Sequence, residues 1–202
     1  MFNGLVREIG KILKYDGSNL EISSNLKPNL GDSIAVNGAC LSVVKVTSHG
    51  FVVELSDESR DKLVPFNVGS KVHLEDALKL GDKIDGHLVQ GHVDFIGSIS
   101  KIMPLKTGTN FYIKLPSAAM KYMANKGSVA VNGVSLTISE ILKDEIKISI
   151  IPITLKDTLF GDFKVGDKVN IESDMFARYV ERILNFKKDL SWADVDRISS
   201  LY

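Results

Sequence analysis

The feature that most limits the possible folds of this 202-residue chain is an internal repeat. Three blocks of residues recur in the same order: 34–43 as 129–138, 68–77 as 165–174 and, more weakly, 2–12 as 92–102. The first pair reads IAVNGACLSV and VAVNGVSLTI, so nearly every position holds the same residue or a similar one. A repeat of this kind predicts two copies of one structural unit in tandem.

We place the two copies at 1–86 and 87–173, followed by a C-terminal segment at 174–202. Copies of this length are within the size range of small domains. Within the best-matched block, one substitution changes a side chain that could react. Cys40, the only cysteine of the chain, is replaced by Ser135 in the second copy.

Turn signals within each copy indicate β-strands joined by tight hairpins. Alternating apolar residues flank Asn37-Gly38 and Asn132-Gly133, and Asn-Gly favours two-residue hairpin loops because both residues tolerate positive φ angles. The runs FVVEL at 51–55, FYIKL at 111–115 and IKISII at 146–151 are rich in β-forming residues. Short strands separated by Gly, Asn, Asp and Ser predict a small antiparallel barrel in each copy, because closure leaves no exposed sheet edge.

Composition argues against several classes of function. Twenty-five basic residues balance 25 acidic ones, so the net charge favours neither nucleic acid nor an anionic membrane. The longest apolar runs are far shorter than the roughly 20 residues that a membrane-spanning helix needs. A single cysteine forms no internal disulfide, and the first residues have no signal-peptide pattern, so we expect a cytoplasmic protein that recognises its ligand in a shaped site.

The C-terminal segment has a helical pattern. In DMFARYVERILNFKK, at 174–188, apolar residues recur at helical spacing opposite charged ones, and Asp174 is a candidate N-cap. A second short helix is predicted from Ser191, because Ser191 and Asp194 have capping-box spacing. The apolar stripe has two uses that the pattern does not separate: it covers a barrel, or it packs against copies of itself in an oligomer.

Two histidines in GHLVQGH, at 86–92, are candidates for chemistry. Their spacing argues against a metal site, because residues five apart point to opposite faces of a strand and lie about 140° apart on a helix. For His87 a structural role is favoured. His92 is the better functional candidate, because the weak block aligns it with Phe2 at a place where the two copies differ in chemistry.

Four other candidates each have a plain structural interpretation. Cys40 is a small hydrophobe, Ser135 a strand hydroxyl, Asp174 a helix cap and Lys126 a solvated loop charge. No G-x-S-x-G elbow, P-loop or dinucleotide fingerprint supports a hydrolase, phosphoryl-transfer or nicotinamide enzyme. The repeat adds a functional interpretation: two similar barrels that each present a pocket at the Asn-Gly hairpin bind two similar small molecules, and chemistry can pass between them.

Five motifs together resemble the riboflavin synthases of the α-chain type: MFNGLVREIG, VNGACLSV, GHLVQGHVD, VNGVSLTI and VNIESDMFARYVERIL. The resemblance covers essentially the whole chain. It implies an all-β protein with a C-terminal helix, built of two tandem six-stranded antiparallel Greek-key β-barrels and assembled as a homotrimer through the C-terminal helices. It also implies that two molecules of 6,7-dimethyl-8-ribityllumazine are dismutated to riboflavin and 5-amino-6-ribitylaminouracil. It implies no metal or redox cofactor, no nucleic-acid or membrane partner, and an association with lumazine synthase.

The resemblance further implies which residues contact the lumazines, at a site formed between the N-terminal barrel of one subunit and the C-terminal barrel of another. In the first barrel these are Gly4, Leu5, Val6, Ala39, Cys40, Leu41, Glu54, Leu55, Ser56, Asp57, Glu58 and Ser59. In the second barrel they are Gly91, His92, Val93, Ser135, Leu136, Thr137, Ser149, Ile150, Ile151, Pro152, Ile153 and Thr154, with Lys126 reaching in from a neighbouring chain. Backbone groups on strand edges suit the uracil-like edge of the ring, and hydroxyls and carboxylates suit the ribityl chain.

Within that site we predict five catalytic side chains. His92 is the general acid/base, because the ordinary pKa of histidine suits neutral pH. The other roles are the following: Ser135, with Thr137, holds the donor, Cys40 contacts or transiently adds to the acceptor, and Asp174 and Ser33 assist through hydrogen bonds.

Two rival interpretations have different chemistry. The first is a lumazine-carrying antenna protein of the same fold, which binds without turnover; Cys40, His92 and Ser135, present in their motifs, favour the enzyme. The second is a flavin-binding reductase barrel, which needs a nicotinamide site that the sequence does not contain and would turn over NAD(P)H.

Overall fold

The computed structural model describes residues 1–186, 196–197 and 199–200, and it contains two closed six-stranded barrels. The strands of the first barrel are β1 (Glu8–Tyr15), β2 (Asn19–Ser23), β3 (Ser33–Val36), β4 (Ala39–Thr47), β5 (Gly50–Glu54) and β6 (Lys71–Asp76). Those of the second are β7 (Phe95–Leu105), β8 (Gly108–Lys114), β9 (Ser128–Val131), β10 (Val134–Ile141), β11 (Glu145–Ile150) and β12 (Lys168–Ser173). The predicted pair of six-stranded barrels is confirmed.

Both barrels have the same topology. The first has the strand order β1-β2-β5-β4-β3-β6, and the second, counted from β7, has the order β7-β8-β11-β10-β9-β12. All the pairings are antiparallel. In each barrel a long connection returns the last strand beside the first, which is the Greek-key arrangement expected for the family.

Short helices stand at equivalent places in the two copies. Helix α1 (Asp57–Lys62) follows β5, and helix α3 (Pro152–Asp157) follows β11. A further helix, α2 (Ser117–Met120), lies between β8 and β9, and a 3-10 turn (Leu159–Gly161) follows α3. The longest helix, α4 (Met175–Phe186), comes after both barrels are complete.

The two Asn-Gly turns lie where the barrels meet. Asn37 and Gly38 have φ angles of 47° and 83°, and Asn132 and Gly133 have 46° and 80°, so both turns are of the two-residue type with positive φ that the sequence predicts. A Cβ atom on Gly38 would lie 2.6 Å from the backbone nitrogen of Gly133. Only glycine allows the two turn tips to approach this closely.

Among the described residues, buried apolar side chains form three clusters. Each barrel is filled by its own inward-facing side chains, among them Phe51 in the first and Phe111 in the second, both almost fully buried. A third, smaller cluster lies between the barrels and is itself paired across the repeat: Phe2 with Val89, and Ala35 with Ala130. The barrels therefore pack about an approximate two-fold axis.

The structure corrects the alignment of the weak block. Strand β1 begins at Glu8 and β7 at Phe95, and Phe2 exchanges backbone hydrogen bonds with Val89, so this part of the repeat is offset by 87 residues. The sequence comparison, which aligned 2–12 with 92–102, was wrong by three positions. His92 therefore corresponds to Leu5, and Phe2 corresponds to Val89.

Helix α4 packs against the barrels with its polar side. Asp174 caps it as predicted, because its Oδ1 accepts a hydrogen bond from the N–H of Phe176 (2.9 Å). Arg178 and Glu181 bond to the barrels, whereas six apolar residues lie more than half exposed: Phe176, Tyr179, Val180, Ile183, Leu184 and Phe186. The stripe does not cover a barrel of its own chain. The second helix, predicted from Ser191, falls on residues outside those described.

None of the helices in the described part of the chain combines the length and apolar character needed to span a membrane.

Candidate functional site

The segment that leads into each barrel lies against the other barrel. The backbone N–H of Ser135, on β10, donates to the carbonyl of Gly4 (2.8 Å), and the N–H of Cys40, on β4, donates to the carbonyl of Gly91 (2.9 Å). The sequence comparison grouped Gly4 to Val6 with Cys40 and Gly91 to Val93 with Ser135. That grouping was wrong, because each entry segment crosses to the opposite copy.

Close backbone contact explains the glycine at each crossing. Gly4 has φ +75° and Gly91 has φ +80°. A Cβ atom on Gly4 would lie 2.5 Å from the Cβ of Ser135, and one on Gly91 would lie 2.5 Å from the Cβ of Cys40. Both the backbone conformation and the absence of a side chain are required there.

The first candidate pocket, which we call the Cys40 pocket, has a volume of about 440 Å³. Strand β4, helix α1 and the crossed segment 91–94 form its walls. The lining includes the following predicted contact residues: Ala39, Cys40, Glu58, Ser59, Gly91, His92 and Val93. His92 is exposed and Cys40 partly buried, so the predicted acid/base and the only thiol share one pocket.

The second candidate pocket, the Ser135 pocket, is built in the same way and has a volume of about 260 Å³. Strand β10, helix α3 and the crossed segment 4–7 form its walls. The lining includes the following predicted contact residues: Gly4, Leu5, Val6, Ser135, Ile153 and Thr154. The two pockets are therefore built from equivalent elements. In the Ser135 pocket, Leu5 occupies the position that His92 occupies in the Cys40 pocket.

A second histidine supports the Ser135 pocket. The Nδ1 of His87 lies 2.7 Å from the Oγ of Ser135. Burial lowers the pKa of His87, and the negative charge of Asp174 opposes that change. From the sequence we predicted a structural role for His87. The contact with Ser135 was not visible there, because the two residues lie 48 positions apart in the chain. The sequence feature that pointed to a functional role for His87 was its position in the central motif GHLVQGH.

Arg178 of helix α4 lines the Cys40 pocket and bonds to the crossed segment there. Its guanidinium donates to Asp94 (3.2 Å) and to Gln90 (2.5 Å), and it lies 3.8 Å from Glu172. Asp94 also accepts two hydrogen bonds from Ser173. The start of α4 is thereby tied to one wall of the pocket.

Two buried carboxylates hold the crossed segments. Burial raises the pKa of Glu75 to about 7, although neighbouring backbone N–H groups favour its charged form. Burial also raises the pKa of Glu172, against the effect of N–H donors and of Arg178. Both carboxylates occupy the same position in the repeat.

Other predicted site residues lie elsewhere in the structure. Ser33 lies in a separate cavity of about 320 Å³ with Asp32 and Asp76, so the structure does not bring it to either pocket. Lys126 is exposed in a turn with φ +65°. The remaining predicted residues do not line the two pockets: Leu41, Glu54, Leu55, Ser56, Asp57, Leu136, Thr137, Ser149, Ile150, Ile151 and Pro152. The Oγ of Ser149 donates to Asn110 (2.7 Å).

Within residues 1–186 and the few described beyond them, no group of three or more His, Cys, Asp or Glu side chains is arranged to hold a metal ion.

The repeated barrels and pockets define a protein with two tandem small-molecule-binding barrel domains. The family model described as "Lumazine binding domain" matches the chain twice, at residues 3–77 and 90–174. The riboflavin synthase of Photobacterium phosphoreum is 41% identical over 194 residues, covering 91% of this chain and 89% of that one. The riboflavin synthase of Bacillus subtilis is 37% identical, covering 92% and 90%. The chain belongs to the riboflavin synthase family.

Solved structures with the same fold include LumP complexed with riboflavin and LumP complexed with 6,7-dimethyl-8-(1'-D-ribityl) lumazine. Their TM-scores are 0.77 and 0.75, and each is 24% identical, covering 86% of this chain and 99% of that chain. This likeness shows the fold.

Proposed function

We propose that this protein is a riboflavin synthase that converts two molecules of 6,7-dimethyl-8-ribityllumazine into riboflavin and 5-amino-6-ribitylaminouracil. The observation that carries the proposal is the pair of pockets built alike from a strand start, a short helix and a crossed segment. A reaction between two identical molecules needs two similar binding sites. The membership of the family supports the same conclusion.

We propose different roles for the two substrates, and the differences between the pockets support this. Cys40 and His92 line one pocket, whereas Ser135 and Leu5 stand at the equivalent positions in the other. The proposed acid/base and the thiol therefore line the same pocket. Ser135, supported by His87, holds the second molecule as the four-carbon donor.

The chemistry requires removal of a proton from the C7 methyl group of one lumazine and addition of a nucleophile or water to the other. A four-carbon unit then passes from donor to acceptor through a pentacyclic intermediate. Holding two reactants in register supplies a large part of the acceleration, because it removes the entropic cost of bringing them together. His92 moves protons, and Cys40 contacts or adds to the acceptor.

We further propose a homotrimer in which the Cys40 pocket of one subunit faces the Ser135 pocket of another. The support lies in α4, whose apolar residues face away from the barrels. Such a stripe is typical of a helix that packs on another chain. In this assembly Lys126, exposed on its own chain, reaches the site of a neighbour.

A cytoplasmic setting is consistent with the free thiol of Cys40 in the pocket, because a reducing compartment keeps such a thiol unpaired. The association with lumazine synthase stays a prediction.

The direct test is incubation of the purified protein with 6,7-dimethyl-8-ribityllumazine alone. We expect one riboflavin to form for each two lumazines consumed, measured by absorbance and by separation of the products. Tight binding with unchanged absorbance would contradict the enzyme and favour a lumazine-carrying antenna protein. Turnover of NAD(P)H would instead favour a reductase.

A further inference from the structure

The last strand of the first barrel, β6, carries one side chain that bonds to the second barrel and one that holds the crossed segment of its own copy. His73 and Glu75, two residues apart, lie on the same face of the strand. The Nδ1–H of His73 donates to the carbonyl of Asn132 (2.9 Å), and its Nε2 accepts from the N–H of Leu159 (2.7 Å). The carboxylate of Glu75 accepts from the N–H groups of Asn3 (2.9 Å) and Gly4 (3.1 Å).

The last strand of the second barrel, β12, makes the same set of bonds in the opposite direction. Asn170 donates to the carbonyl of Asn37 (3.0 Å) and accepts from the N–H of Val64 (2.8 Å). Glu172 accepts from the N–H groups of Gln90 (2.7 Å) and Gly91 (2.9 Å).

The groups held by these bonds are the walls of the two pockets. Leu159 lies two residues after the end of α3, and Gly4 begins a crossed segment, so β6 fixes two walls of the Ser135 pocket. Val64 lies two residues after the end of α1, and Gly91 begins the other crossed segment, so β12 fixes two walls of the Cys40 pocket.

We propose that the last strand of each barrel positions the walls of the other barrel's pocket. His73 and Glu75 are positioning residues for the Ser135 pocket, and Asn170 and Glu172 are positioning residues for the Cys40 pocket. The proposal rests on the proposed function only in treating these pockets as the lumazine sites.

The four positioning side chains are buried and lie outside both pockets. The four side chains are between 2% and 4% exposed, so water does not replace a lost bond. None of them lines the Cys40 or the Ser135 pocket. Each therefore acts through the backbone that it holds rather than by touching a ligand.

A single thiol, placed in one pocket or in the other, allows each site to be measured separately. Cys40 is the only cysteine of the chain, so its rate of reaction with a disulfide reagent reports the Cys40 pocket. The double variant Cys40→Ser with Ser135→Cys moves the thiol to the Ser135 pocket. Glu172→Gln and Glu75→Gln are then made in each background, because glutamine keeps one acceptor oxygen and places an N–H group where the second stood.

We expect Glu172→Gln to change the reaction rate of the Cys40 thiol about fivefold, in line with the loss of one hydrogen bond, and to leave the Ser135→Cys thiol unchanged. Glu75→Gln is expected to give the reverse pattern. The lumazine concentration that half-protects each thiol should rise in the same crossed pattern, while the melting temperature shifts equally in both backgrounds. An effect confined to the thiol in the variant's own barrel, or equal for both thiols, would overturn the proposal.

A second measurement needs no change in either strand, and it decides the matter if the glutamine variants do not fold. Alkylating Cys40 in the natural chain should shift the side-chain amide resonance of Asn170, which lines neither pocket and accepts from the N–H of Val64, and leave the ring resonances of His73 in place. An unchanged resonance of Asn170, or a shift at His73 instead, would contradict the crossed support. Thiol rates without ligand require no synthase activity, so failure of this proposal is distinct from failure of the proposed function.

Discussion

Gly4 lies so close to Ser135 that a Cβ atom on the glycine would stand 2.5 Å from the Cβ of the serine. We therefore expect Gly4→Ala to combine the strain of a positive φ, about 1–2 kcal/mol, with a clash of roughly 1–3 kcal/mol. Gly31→Ala is the matched control, because Gly31 has φ +87° and no neighbour within 4 Å of its Cβ position. Denaturant unfolding of the two variants measures the difference, and equal losses would show that no clash exists.

His73 makes stability depend on pH in a defined direction. Burial lowers its pKa from 6.5 to about 4, and its Nε2 accepts a hydrogen bond that protonation would break. The unfolded chain binds the proton more readily, so stability is lost as pH falls from about 6.5 towards 4, by at most about 3 kcal/mol.

Replacing His73 with asparagine, the residue at the equivalent position 170, should remove this dependence. The difference in unfolding free energy between the natural chain and His73→Asn is expected to shrink as pH falls through that range. A difference that stays constant with pH would contradict the assignment.

Glu75 acts in the opposite direction. Its pKa is raised from 4.5 to about 7, so the folded chain binds the proton more readily and the contribution of this group to stability falls as pH rises between those values. Glu75→Gln should therefore cost more stability at pH 5 than at pH 8, measured by thermal unfolding in matched buffers. Glu54→Gln, at an exposed position of β5, serves as the control.

His92 is the residue on which turnover should depend most. We expect His92→Ala to lower kcat by about a hundredfold or more, as for loss of a general acid/base, with little change in lumazine affinity. The exposed His49, in the turn after β4, provides the control His49→Ala. Equal losses in kcat and in affinity would show that His92 only binds.

The outward stripe of α4 should control assembly. The double variant Val180→Glu with Leu184→Glu places two charges among residues that are 55% and 59% exposed on the isolated chain. We expect it to sediment as a folded monomer with most turnover lost, whereas Arg182→Gln on the same helix stays trimeric. A double variant that is still trimeric would contradict the role given to α4.

Local signals in the sequence predicted local structure well. The Asn-Gly turns have the positive φ angles that the residue types favour, and Asp174 caps its helix, because both depend on neighbours within a few residues. The equivalence of Cys40 with Ser135 also holds in space, because the N–H of each donates to the carbonyl of a glycine in a crossed segment.

The sequence did not predict which barrel each of the two crossed segments contacts. FNGLV at 2–6 matches VQGHV at 89–93, an amide residue before glycine in both, but the comparison favoured a longer apolar alignment three positions away. Which barrel a segment joins depends on contacts such as Gly4 with Ser135, more than a hundred residues apart. The pairing of His87 with Ser135 escaped notice for the same physical reason.

The crossed segments have a consequence for the origin of the chain. An ancestral chain with a single barrel could not have completed its own pocket. The crossed segment that forms one wall, and the last strand that holds this segment, both belong to the opposite copy. Such an ancestor would have worked as a dimer of identical molecules, in which each molecule contributed its crossed segment to the pocket of the other. Two copies joined in one chain make this exchange internal, and they allow Cys40 and Ser135 to differ, which two identical molecules do not.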